Sequence, residues 1–85
     1  MFPDTQSHDH RALAVWAIRQ AHQRLLGRRV CLPMRTSEVY GRVSSVGIAR
    51  GGRFHGLPVV CVLLDSGEEI EIGVGEALEK CVVVA

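Results

Sequence analysis

Two hydrophobic periods divide the chain. Between Arg11 and Leu26 there is no glycine or proline, and the apolar residues recur at helical spacing. At about 100° per residue, Ala14, Ala17, Ile18, Ala21 and Leu25 fall within one arc, with Arg19, Gln20 and Gln23 opposite. Asp9 or Ser7 can cap this segment, and Gly27 sits where a glycine ends a helix. The pattern predicts a helix over residues 9–26 after a flexible polar arm over residues 1–8. Its alanine-rich stripe lets it lie close against a sheet. Trp16, the sole tryptophan, falls on the polar side beside Arg19 and Gln23, which makes it a candidate interface residue.

From Arg29 the period changes to two. Val30–Pro33 reads as a short strand. Val39–Ile48 alternates, with Tyr40, Arg42 and Ser44 on one face and Val39, Gly41 and Val43 on the other. Arg50–Gly56 is a loop by composition. Val59–Leu64 is a third strand, and Asp65–Glu68 a tight turn with Gly67 in the left-handed conformation. In Glu69–Val74, Ile70, Ile72 and Val74 point inward, and Glu69, Glu71 and Gly73 outward. Residues 75–78 suit one 3₁₀ turn, and Glu79–Val84 a last strand. Five short strands with tight turns predict a mainly β fold: an SH3-like (Sm-like) five-stranded barrel over residues 29–84 with an N-terminal α-helix.

Val59–Leu64 and Cys81–Val84 are apolar at both parities. A barrel strand needs an apolar side chain only on its inner face, so the outer side of these two requires cover. The helix covers one patch and a second copy the other. A homo-oligomer is therefore expected, with Trp16, Val60, Val62 and Val83 as candidate interface residues.

Composition narrows the function classes. Eighty-five residues form one small domain, and 47% hydrophobic content is too apolar for disorder. The longest apolar run, Leu57–Leu64, is too short for a membrane span. Met1–Asp4 has neither the basic nor the apolar region of a secretory signal. Cys31, Cys61 and Cys81 are an odd set without a C-x-x-C motif, which predicts buried, reduced, inert thiols in a cytoplasmic protein. The formal charge of +1 conceals an asymmetry. Residues 1–58 carry nine Arg against three carboxylates, for +6, while residues 59–85 carry one Lys against six, for −5. Such a molecule offers its basic side to an anionic partner, or associates head to tail.

Two families resemble this layout. Val30-Cys31-Leu32, Tyr40–Val46 with its central Gly41, and Ala77–Val84 resemble the first two strands and the closing segment of the Sm-like family, which includes the bacterial host-factor RNA chaperone. The resemblance implies a bent barrel and RNA binding. Where that family carries a basic RNA-contacting pair, this chain reads Gly73-Val74-Gly75-Glu76. Gly27–Val30, Gly41-Arg42-Val43, Ile70–Gly73 and Ala77-Leu78-Glu79 are similar in order and spacing to the cassette-borne type II dihydrofolate reductases. That likeness implies an SH3-like barrel, assembly around a pore and an origin as an integron cassette protein. Ile70-Glu71-Ile72-Gly73 replaces that family's Val-Gln-Ile-Tyr, so both reacting side chains are missing and reductase activity is not expected.

Catalytic and cofactor signals are absent from the sequence. Gly47–Gly52 lacks the lysine and spacing of a phosphate-binding loop. Three of the four histidines, His8, His10 and His22, lie in the arm or helix, so no Ser–His–Asp set forms. His8 and His10 read as a solvated helix start rather than a metal site, and Glu68, Glu69 and Glu71 as a solvated acidic row blunting a sheet edge. No catalytic residue, cofactor or metal is expected. The strongest functional signal is Arg50–Gly56. Arg50, Arg53 and His55 supply cations and Phe54 a stacking surface on a glycine-rich support, with Arg42 and Tyr40 as extensions. The expectation is an oligomeric, non-enzymatic module binding RNA or single-stranded DNA. The alternatives are a protein adaptor using the Trp16 face and, last, an enzyme with Glu71 at an oligomer interface.

Overall fold

The computed structural model describes residues 3–34 and 36–84, with side chains from residue 13 onward. Its elements are α1 (Pro3–Leu25), β1 (Arg29–Pro33), β2 (Glu38–Ile48), a 3₁₀ turn (Gly52–Phe54), β3 (Pro58–Leu64), β4 (Glu69–Gly73), α2 (Val74–Lys80) and β5 (Val82–Val83). The strands form one antiparallel sheet in the order β4-β3-β2-β1-β5. The expected barrel is not closed. The outer strands β4 and β5 do not pair with each other, and β5 itself meets only Val30 and Cys31 of β1.

Alternation fixes the faces of the sheet. Val43, Val62 and Ile70 stand in one row across β2, β3 and β4, and Val46, Val60 and Ile72 in the next. Both rows face the helices and build the core with Leu32, Ala21, Leu25, Val74 and Ala77. The opposite face carries the rows Arg42–Leu63–Glu69 and Ser45–Cys61–Glu71. One extra residue on β2, at Ser44, shifts the register between Val43 and Ser45. Such a bulge bends and twists its strand.

Several expectations are corrected. The helix does not wait for Asp9; it runs from Pro3, so residues 3–8 are helical rather than a loose arm. Proline is tolerated in a first turn and Asp4 is favourable there. Met1 and Phe2 lie outside the described residues, as do the side chains of His8 and His10. Residues 74–80 form seven residues of α-helix instead of a 3₁₀ turn, and the last strand shrinks from Glu79–Val84 to Val82–Val83. The reason is visible in the spacing. Val74, Ala77, Leu78 and Cys81 repeat at i, i+3, i+4 and i+7, and all four enter or abut the core against α1. Val60 and Val62 are fully buried, so neither belongs to an interface. The outward apolar side chain of β3 is Leu63, 46% exposed.

Candidate nucleic-acid interface

The loop between β2 and β3 is built, not slack. Ala49 and Leu57 close its base, with the Ala49 amide donating to the Leu57 carbonyl at 2.9 Å and the Gly56 amide to the Ala49 carbonyl at 2.8 Å. Within it, the His55 amide donates to Gly52 at 3.2 Å and the Leu57 amide to Phe54 at 2.8 Å. Gly52 (φ +73°) and Gly56 (φ +81°) take the left-handed turns that permit so tight a path. Arg50, Arg53 and His55 are exposed at this tip and Phe54 is half-buried. The Arg53 guanidinium carbon stands 5.6 Å from the centre of the Phe54 ring, a cation–π arrangement that holds both side chains together. Residues 49–58 contain no carboxylate. Among the described residues, Arg50 and Arg53 form no ion pair; the single one is Arg29–Asp65.

Tyr40 and Arg42 do not join this patch. They lie at the other end of β2: Arg42 stands roughly 20 Å of strand before Ile48, where β2 ends, and Arg50 lies beyond that end. Each has a structural task instead. Arg42 donates to the Gly27 carbonyl at 2.7 Å, tying β2 to the C-terminal end of α1, where a cation is favoured. Tyr40 lies under the Arg29 guanidinium, 5.6 Å from ring centre to carbon. Arg29 in turn grips Asp65 with two parallel hydrogen bonds of 3.0 and 2.7 Å. That fork holds the Asp65 carboxyl below its usual range. Beside it the Cys31 thiol donates to Glu38 Oε2 at 2.9 Å. This bond, with burial, pushes the thiol pKa upward. The three cysteines are free; Cys31 is buried, whereas Cys61 and Cys81 are only partly buried, against the expectation for all three.

The remaining candidates disperse. Trp16 is 59% exposed on α1, one helical turn from exposed Leu13. Val83 is partly exposed on the short outer strand. Glu71 is exposed at the edge of a groove of ≈ 740 Å³ that the sequence did not signal. Leu32, Pro33 and Met34 line it on one side, Ile70 and Ile72 on the other, and Glu71, Glu76 and Lys80 contribute its charges. Leu32, Ile70 and Ile72 are inward core positions, so the groove is the unclosed seam of the sheet. No sequence pattern marks a seam, because it depends on which strands fail to pair. Among the described residues no three His, Cys, Asp or Glu side chains gather as a metal site. Among the described residues, no helix is long and apolar enough to cross a membrane. Compared with known proteins, the chain matches no family model, no curated protein sequence and no solved structure.

Proposed function

We propose that this protein is a non-enzymatic binding module whose β2–β3 loop contacts the phosphate backbone of RNA or single-stranded DNA. The observation that carries the reading is Arg50 and Arg53, without an ion-pair partner among the described residues, on a hydrogen-bonded loop free of carboxylates. Guanidinium groups fork onto phosphates, and a preformed loop loses little freedom on binding. Phe54 stands behind Arg53 as a platform for an unpaired base. Arg42 and Tyr40 are no longer part of this site. The test is fluorescence anisotropy with a labelled oligouridylate. Replacing Arg50 and Arg53 together by Ala should weaken binding by at least about tenfold, while equal affinity of the two proteins rejects the reading.

The same proposal reads the open sheet as an SH3-like, Sm-like frame. Its support is the strand order, the wholly antiparallel pairing and the bulge that bends β2. A homo-oligomer belongs to the proposal too, with Leu13 and Trp16 of α1 as its contact stripe. Exposed aromatic and aliphatic side chains one turn apart suit helix-to-helix contact. The competing reading, an adaptor for another protein, uses that same stripe.

A further inference from the structure

The seam of the sheet shares no lining residue with the β2–β3 loop. Two unpaired strand edges meet there. β4 (Glu69–Gly73) pairs only with β3, and no backbone hydrogen bond reaches its other edge among the described residues. Leu32 and Pro33 of β1 pair only with β2, because β5 stops at Cys31. The ≈ 740 Å³ groove separates these two edges. Side chains alternate in their use along β4. Ile70 and Ile72 line the groove from the core side, while Glu69 and Glu71 are exposed.

We propose that the seam takes an extended segment of a partner protein, added as a strand to the free edge of β4, with apolar residues alternating with lysine or arginine. Strand addition supplies main-chain hydrogen bonds to the unpaired edge and pockets for alternate side chains. The apolar side chains of the segment meet Leu32, Met34, Ile70 and Ile72 in the groove. Its basic side chains stand across from Glu69 and Glu71, where opposite charges on paired strands attract. Glu76 adds a third carboxylate, and Lys80 is the one cation among the described lining residues. This charge turns nucleic acid away. It also opposes a second copy pairing β4 to β4 about Glu71, which would bring like charges face to face.

The test uses the full-length protein and a fluorescein-labelled probe, acetyl-(Lys-Val)3-Lys. Saturable binding is expected, weakened about tenfold or more by Glu71→Lys and by Met34→Asp, both at exposed positions. Two altered probes check the mode without changing the protein. The (Glu-Val)3-Glu version should lose binding, and so should a version N-methylated at every valine that turns its amide toward β4. The proposal is overturned if the probe shows no saturation up to about 1 mM. It is also overturned if the acidic or methylated probe binds equally well. A native mass that falls to one subunit on Glu71→Lys would show that a second copy occupies the seam, and would likewise overturn it. The Arg50/Arg53 double Ala variant should bind the peptide unchanged, which keeps this site separate from the loop.

Discussion

At the scale of single residues, two polar contacts make measurable claims. The Arg29–Asp65 fork lowers the Asp65 pKa, so the pairing contributes its stability above the ordinary carboxyl range near pH 4 and loses it as pH falls through the lower folded value. Asp65→Asn should therefore lower the melting temperature at pH 7, and the difference from wild type should close below about pH 4. Both side chains are well exposed, so the effect is small and shrinks with salt. A gap between the two melting curves that does not narrow with acid would contradict this. Cys31 makes the second claim. Its bond to Glu38 and its burial raise the thiol pKa and so lower the thiolate fraction at pH 8. Glu38→Gln should accelerate modification of Cys31 by iodoacetamide several-fold, read by peptide mass spectrometry; an unchanged rate would show that the carboxylate does not hold the thiol.

At the scale of elements, the alternating strands were the most legible part of the chain. Ile70 and Ile72 against Glu69 and Glu71 give the faces of β4 directly, and Tyr40 and Arg42 against Gly41 and Val43 those of β2. Gly27 and Gly67 take the positive φ their turns required. Legibility failed where a packing partner decided the conformation. α2 forms because Val74 and Ala77 meet α1 across the core, which overrides Gly75. The apolar run of β3 suggested an outer contact through Val60 and Val62, but strand parity places both in the core. The loop residues Arg50, Arg53, Phe54 and His55 were legible as a group; Arg42 was not, since its bond to Gly27 depends on where α1 ends. Gly41 tests the register of β2 on β3. A Cβ there would stand 2.5 Å from the Leu63 carbonyl oxygen and 2.9 Å from Val62 Cγ1. Backbone must move to admit it, so Gly41→Ala should destabilise by about 1–3 kcal/mol in urea unfolding. A neutral outcome would mean that β2 and β3 lie further apart than this register places them.

At the scale of the whole molecule, shape and charge separate three surfaces. α1 is about 34 Å long in a molecule 47 Å across, and its buried anchors are Ala21 and Leu25 near its C-terminal end. Leu13 and Trp16 are left for a partner, and the proposal assigns them to a second copy. Light scattering should then give a mass above 9.3 kDa for the wild type, reduced to the single chain by Trp16→Asp. A wild-type mass of one chain would reject self-association and move the Trp16 stripe to the adaptor reading. The basic loop lies at the β2–β3 end, and the carboxylates Glu71 and Glu76 line the seam. The sequence displayed this division as a charge difference between its two halves, without showing that the acidic half flanks an open groove.

The most direct test of the central claim is the salt dependence of oligouridylate binding by the wild type and by the protein with both Arg50 and Arg53 replaced by Ala. Each phosphate contact on a single strand contributes about −0.7 to the slope of log K against log salt. The account predicts a clear negative slope for the wild type, made shallower by about 1.4 in the double variant. Identical slopes, or wild-type binding insensitive to salt, would contradict a phosphate-binding role for the loop.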